Sequence, residues 1–421
     1  MKNLKIKGGS PLNGKVRISG SKNAALPIFA ATLLTDEKIV LNNVPDIEDV
    51  RVMIKIIEFL GKKCEFKNSS LEINGSGKIE NTVPYDLIRK MRASFNVLGP
   101  LSVRNDVAMV SLPGGCNLGP RPVDIHLEGL NALGFDTKLE HGIVKTRKNR
   151  KLKNIEFTLR FPSIGATQQL LTTCALMEGT ETILNNIAIE PEIGQLVDFL
   201  KSMGSEIKEI GAKSLLIKGK KKLYGTEFDI VPDRIEIGTF LIAAAATRGS
   251  VEIENCIPAN NDALLSVLST TGALIEISQN TLNIKCDRRL ESTEIIGRVY
   301  PGFPTDLLPL ATTLYSTCIG ESFIKDEIFP ERLSHVWELQ RMNADITVKN
   351  NSLYIKGIEK LSAAPIMATD IRCSSALIIA GLCADGITTV GNIDSLFRGY
   401  ENFEDKLSKL GADLEFFETE N

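Results

Sequence analysis

One phrase returns six times along this chain: an amphipathic helix, a residue suited to positive φ, then a short strand. The closing residues are Gly61, Gly134, Gly204, Gly272, Asn343 and Gly411, at intervals of 73, 70, 68, 71 and 68. Leu or Met precedes the closing residue in every copy but the fourth, which has Thr271. Gly and Asn both tolerate the left-handed backbone that ends a helix. A fixed period near 70 makes this a repeat protein in which neighbouring copies share a core.

A second phrase lies roughly 35–45 residues upstream of each closing residue. It is a turn leading into a helix rich in Ala, Leu and Thr. The copies open at Ser21-Lys22-Asn23, Arg92-Ala93-Ser94, Pro162-Ser163-Ile164-Gly165, Asp233-Arg234, Phe303-Pro304-Thr305-Asp306 and Asp370-Ile371-Arg372. Each repeat is expected to run helix, strands, helix, strand. The Ala-rich helices, apolar nearly all round as in Leu241–Ala246, are expected inside a sheet layer. The Gly-terminated ones are expected half exposed. The fold class is α/β, built from α+β repeats. Six copies divide as three plus three, with a midpoint near Lys218–Lys222, read as a solvated turn.

The chain has 421 residues, 43% of them hydrophobic and 24% charged, enough apolar surface for large cores. Lys+Arg is 49 and Asp+Glu is 52, a net charge of −3, which argues against a nucleic-acid binder. A local Arg cluster for a small anion remains compatible with that total. The eight cysteines (Cys64, Cys116, Cys174, Cys256, Cys286, Cys318, Cys373 and Cys383) form no C-x-x-C pair and read as reduced thiols. Three histidines, none near another, offer no zinc pair, so neither metal nor cofactor is expected. The start, MKNLKIKGG, has no hydrophobic signal core. The apolar stretches Phe240–Ala246 and Ala376–Ala384 fall far short of the ~20 residues that span a bilayer. A soluble, cytoplasmic protein is the expectation.

A helix N-terminus presents unpaired N–H groups and positive potential. Lys22, Arg92, Arg234 and Arg372 all stand at such openings, so a shared anionic ligand is one reading. The other is that each Arg pairs with a neighbouring acid, Asp233 or Asp370. The stretch Leu112–His126, LPGGCNLGPRPVDIH, is too rich in Gly and Pro to be helix or central strand. Cys116 sits at its tip near Arg121, and an exposed thiol there is a candidate nucleophile or acid.

Five stretches then carry a resemblance: SGSKNAALP at Ser19–Pro27, RKMRAS at Arg89–Ser94, the Leu112–His126 loop, YPGFPTD at Tyr300–Asp306, and Asp370-Ile371-Arg372. In order and spacing they resemble the enolpyruvyl transferases that act on UDP-N-acetylglucosamine, over essentially the whole chain. The resemblance implies two domains of three pseudo-symmetric α/β units each, with helices buried inside sheets as an inside-out α/β barrel. It implies a first domain at 22–229 and a second at 230–421 joined by the N-terminal 1–21, with the active site in the cleft between them.

The implied reaction moves the enolpyruvyl group of phosphoenolpyruvate to the sugar 3'-hydroxyl and releases phosphate, the committing step of peptidoglycan synthesis. By resemblance Cys116 is the acid that protonates the vinyl carbon and Asp306 takes the hydroxyl proton. Lys22, Arg121 and Arg398 supply cations, with Arg92, Arg332 and Arg372 nearby, because guanidinium forks hold phosphate and carboxylate bidentately. Asn23, Arg121, Pro122, Val123, Asp124, Ile125, Ser163, Ile164, Gly165, Asp306, Ile328 and Asp370 are implied around the substrates. No nucleic acid or membrane insertion is implied, and a monomer or weak homo-oligomer is expected. The chain departs from the family pattern at Phe161-Pro162, which bears on uridine contact, at Val299 and Leu308-Pro309, and at Trp337, read as packing.

Three other readings compete with this one. The sister enzyme acting on shikimate 3-phosphate should lack the P-G-G-C loop. A six-repeat DNA sliding clamp would need neither that loop nor Arg at helix openings. An RNA 3'-phosphate cyclase-like fold would want a catalytic His, whereas His126 reads as cleft-lining and His141 and His335 as surface residues.

Overall fold

In the computed structural model the described residues are 2–75, 77–114 and 122–418. They fall into two compact units. The described part of one unit is 20–75, 77–114 and 122–231; that of the other is 2–19 and 232–418. Each has its own hydrophobic core.

The first unit contains α1 (Lys22–Ala31), α2 (Glu48–Phe59), α3 (Tyr85–Ile88), α4 (Leu98–Arg104), α5 (Asp124–Ala132), α6 (Ile164–Ala175) and α7 (Pro191–Ser202). A 3-10 turn at Arg92–Val97 leads into α4. The helices of the second unit are α8 (Arg234–Ala246), α9 (Asp262–Thr270), α10 (Leu308–Tyr315), α11 (Ser334–Arg341), α12 (Ile371–Cys383) and α13 (Phe403–Lys409), with a 3-10 turn at Thr305–Leu307 ahead of α10.

The Ala-rich helices are interior, as expected: every residue of α8 from Ile235 to Ala246 is buried. In the first unit α6 packs against both α1 and α4, and in the second α8, α10 and α12 pack on one another. Polar residues survive there because their hydroxyls find backbone carbonyls, mostly of their own helix, with Thr313 on α10 reaching Ala376 O of α12 at 3.1 Å. Thr239 donates to Ile235 O (2.8 Å), Thr312 to Leu308 O (2.8 Å), Thr173 to Gln169 O (2.7 Å) and Ser102 to Leu98 O (2.6 Å).

Around these helices lie six four-stranded sheets. The strand order within a repeat differs from the expectation. One strand stands between the two helices, as Glu181–Asn185 does between α6 and α7, and a hairpin follows the second. The closing Gly turns directly into that hairpin, so the paired strands fall after it.

Three sheets are completed by distant chain. Glu227–Asp229, at the end of the first unit, lies parallel to Ile39–Asn42 and fills the edge of the first repeat's sheet. The Lys218–Lys222 run therefore precedes one more strand of the same unit; there Lys220 pairs with Glu206 and Lys222 with Glu37. In the second unit Asn13–Arg17 lies parallel to Ser250–Glu254, and Lys2–Lys7 inserts between Ile387–Gly391 and Asp413–Glu418. Leu4 and Ile6 are buried by that insertion. Trp337 differs from the packing role expected of it: it stands 51% exposed on α11, because this short amphipathic helix turns only His335, Val336 and Leu339 inward.

The six helix ends adopt the conformation their residues suggest: φ is 108° at Gly61, 92° at Gly134, 94° at Gly204, 108° at Gly272, 65° at Asn343 and 99° at Gly411. A Cβ at Gly134 would lie 2.6 Å from Arg150 O, whereas one at Gly411 would meet nothing within 4 Å. Gly411→Ala should therefore cost only the left-handed backbone penalty, about 1–2 kcal/mol. Gly134→Ala should cost clearly more, because Asn149 and Arg150 donate to Gly134 O and hold that backbone in place. Urea midpoints of the two variants measured side by side check this.

Candidate active site

In the first unit Lys22 occupies the first turn of α1, behind the N-cap Ser21, whose Oγ accepts from Ala24 N at 3.3 Å. Its Nζ lies 3.4 Å from Asp49 Oδ2 in the first turn of α2, and both side chains are buried. Asn23, the next residue, is half-buried. The turn Arg92–Val97 packs on α1, and Arg92 Nη2 donates to Pro122 O at 2.9 Å. That bond holds the backbone just beyond the 115–121 stretch. Val123 is buried, and Asp124 opens α5 with Oδ1 accepting from Ile125 N at 2.9 Å. Its other oxygen pairs with Arg160, which also reaches Glu128 at 3.2 Å. Cys116 and Arg121 lie outside the described residues.

Ser163 caps α6 by accepting from Ala166 N at 3.3 Å, and Ile164 beside it is exposed. Gly165 is dictated by a neighbour: a Cβ there would meet the His126 ring at 3.1 Å. The ring of His126 is buried, bonded through Nδ1 to Gln169 Oε1 (3.0 Å) and set edge-on to Phe95. Burial, aided by the charge of Arg92, pushes His126 down to about 4. Arg92 is thus bonded to Pro122, and His126 lies against Gly165 within the field of the Arg92 charge.

In the second unit the cluster centres on Asp306. Its Oδ1 accepts from Arg332 Nη1 (3.0 Å) and its Oδ2 from Arg372 Nη2 (3.1 Å), and both guanidiniums are buried. Arg332 also donates to Thr305 O at 2.6 Å, and Thr305 Oγ1 donates to Asp326 Oδ2 at 2.6 Å. The other oxygen of Asp326 accepts from Ile328 N and Phe329 N, both at 2.9 Å, so one carboxylate fixes both the Asp306 turn and the Ile328 turn. Burial alone would lower the Arg372 pKa, but the facing Asp306 carboxylate together with Tyr400 and Asp233 outweighs it, and the net shift is upward.

The acids beside the arginines act first as helix caps. Asp370 accepts from Arg372 N (2.9 Å) and Cys373 N (3.1 Å), and Asp233 from Ile235 N (2.8 Å) and Glu236 N (3.2 Å). The Arg372 guanidinium bonds run instead to Asp306 and Tyr400. Arg398 ends the 3-10 turn Ile393–Arg398, half-buried, and Arg234 lies over the Tyr300 ring.

Asp49, Asp326 and Tyr400 contact the candidate site residues, and the sequence does not single them out. Asp49 resembles any acid in a first helical turn, and nothing local marks the other two. His335 corrects the surface expectation: it is buried, with Nε2 3.2 Å from Thr312 Oγ1, and burial pushes it down to about 3. The seven described cysteines are unpaired, and burial raises the Cys174 thiol to about 12 and Cys256 to about 11.

Comparison with known proteins gives the family of the chain. The family model of EPSP synthase (3-phosphoshikimate 1-carboxyvinyltransferase) matches residues 6–407. A UDP-N-acetylglucosamine 1-carboxyvinyltransferase of Thermotoga petrophila is 48% identical over 421 residues, all of both chains. That of Kosmotoga olearia is 45% identical, again over all of both chains. The chain belongs to the EPSP synthase family and, within it, groups with the UDP-N-acetylglucosamine 1-carboxyvinyltransferases. Among solved structures, the enolpyruvyl transferase NikO from Streptomyces tendae matches with a TM-score of 0.90 at 23% identity, covering 99% of this chain and 98% of its own. EPSP synthase from Acinetobacter baumannii matches at 0.76 and 18%, covering 99% and 100%. At those identities the likeness establishes the two-domain α/β fold of this enolpyruvyl transferase family.

The buried imidazoles set a pH dependence of stability. His126 and His335 have folded-state values of about 4 and about 3, below the ~6.5 of an unfolded chain. Between those values the unfolded state binds more protons, so stability falls as pH drops from about 6.5 towards 4. His335→Gln should flatten that slope, whatever its effect on stability at pH 8. Urea midpoints measured from pH 8 to pH 4.5 for both proteins check it.

Proposed function

We propose that this protein transfers the enolpyruvyl group of phosphoenolpyruvate to the 3'-hydroxyl of UDP-N-acetylglucosamine and releases phosphate. The observation that carries the reading is the Asp306 carboxylate held between two buried arginines, in a chain that matches carboxyvinyltransferases end to end. Cys116 donates a proton to the methylene carbon of phosphoenolpyruvate, and positive charge develops at the adjoining carbon. Asp306 accepts the proton of the sugar hydroxyl as its oxygen bonds to that carbon. Loss of the proton from the new methyl group, with cleavage of the carbon–phosphate oxygen bond, restores the double bond and frees phosphate.

Lys22, Arg92, Arg121, Arg372 and Arg398 hold phosphate and carboxylate, with Arg332 keeping Asp306 in place. Fixed cations stabilise the developing charge without solvent reorganisation. Asn23, Pro122–Ile125, Ser163–Gly165, Ile328 and Asp370 surround the sugar nucleotide. The product feeds peptidoglycan synthesis, and hence cell-wall growth and division, in the cytoplasm. No helix among the described residues is long and apolar enough to cross a membrane, which agrees with that setting.

The test is phosphate release from phosphoenolpyruvate, which should require UDP-N-acetylglucosamine and should not be supported by shikimate 3-phosphate. Dependence on the latter would transfer the reading to the sister activity. Cys116→Asp keeps a proton donor whose reference pKa is ~4 rather than ~8.5, so activity should persist with an optimum at lower pH. Cys116→Ser offers a hydroxyl that barely donates and should lose about 10²–10⁴-fold. Equal inactivity of the two variants would make the thiol a covalent nucleophile instead.

A further inference from the structure

We propose that Tyr400 is a positioning residue that orients Arg372 toward Asp306. The inference rests on the reading that Asp306 and Arg372 serve enolpyruvyl transfer. Tyr400 belongs to no stretch that carries the family resemblance, yet its hydroxyl sits at the centre of a buried network. It accepts from Arg372 Nη1 at 3.0 Å, lies 2.8 Å from Thr239 Oγ1 and 3.3 Å from Ser375 Oγ.

Counting hydrogens gives this network a direction. Thr239 has one hydroxyl hydrogen, and it goes to Ile235 O at 2.8 Å within α8. With that hydrogen used there, Thr239 accepts from Tyr400 at 2.8 Å, the shorter of the two contacts open to the phenol hydrogen, the other being Ser375 Oγ at 3.3 Å. The phenol oxygen keeps its lone pairs for Arg372. The chain of bonds runs from the guanidinium through Tyr400 and Thr239 to the backbone of α8. One end of Arg372 is tied to that helix, so its other nitrogen, Nη2, is aimed at Asp306 Oδ2 at 3.1 Å.

The phenol ring also shapes the site. The guanidinium carbon of Arg372 lies 5.5 Å from its centroid, and the ring packs at 4.8 Å against Phe403. Phe at this position would keep both contacts and remove only the oxygen. The buried guanidinium would then have an N–H without its acceptor, and its swing about the Cδ–Nε bond would lose one of its restraints.

The test is steady-state kinetics of phosphate release by Tyr400→Phe in two backgrounds, beside thermal unfolding. In the wild-type background kcat should fall about 10- to 100-fold, the loss expected for a hydrogen bond to a charged group. In an Arg372→Lys background the same change should cost less than about 2-fold more, because an ammonium has no second nitrogen to aim. Thr239→Val, which leaves the phenol intact and removes the nearer of its two acceptors, with Ser375 Oγ remaining at 3.3 Å, should show a smaller loss of the same kind and stands in if Tyr400→Phe does not fold. Unchanged kcat in a folded variant, or equal losses in the two backgrounds, overturns the inference. A wild-type protein that releases no phosphate with both substrates overturns the proposed function instead, and this inference falls with it.

Discussion

A helix buried on all sides has no water to satisfy its hydroxyls, and both units are organised around helices in that condition. α8 and α12 are covered almost along their whole lengths, and each carries Ser or Thr whose oxygen returns to a carbonyl about one turn earlier. Only small residues can let such helices approach. Gly99 shows the tolerance: a Cβ there would sit 2.7 Å from Thr173 Oγ1 and 2.8 Å from Gln169 O. The composition of the Ala-rich segments is a packing requirement, met separately in each unit.

Burial of the helix bodies leaves their openings as the places where chemistry can be displayed. Four are closed by Ser21, Ser163, Asp233 and Asp370, each of which accepts backbone N–H groups of the first turn. The residues just inside are therefore held on rigid backbone. Lys22 and Arg372 both occupy such positions, and each faces a carboxylate from another element, Asp49 and Asp306. Cations on capped, buried helices are poised before any ligand arrives, which is the kind of preorganisation that charge-developing reactions reward.

The tie between Asp326 and the two turns it holds extends the same logic to loops. One carboxylate accepts from Thr305 with one oxygen and from two successive backbone N–H groups with the other. The turns carrying Asp306 and Ile328 are thereby tied to one another through a single side chain.

What the sequence alone determined was local in origin. The six helix ends were legible because positive φ selects Gly or Asn wherever it occurs. The buried helices were legible because burial on all sides removes the polar stripe, and the candidate site residues because they lie in long motifs. Tertiary structure decided what depends on partners far apart. Lys2–Lys7 finds its place between strands more than 380 residues away in register, and an edge left open by one repeat is the only local hint of such a strand. Asp306 and Arg372 meet across 66 residues, although each has nearer groups of opposite charge in sequence. His335 is buried and Trp337 exposed for the same reason. Which face of a short helix turns inward is settled by the surface it meets, and eight residues of periodicity do not specify that surface.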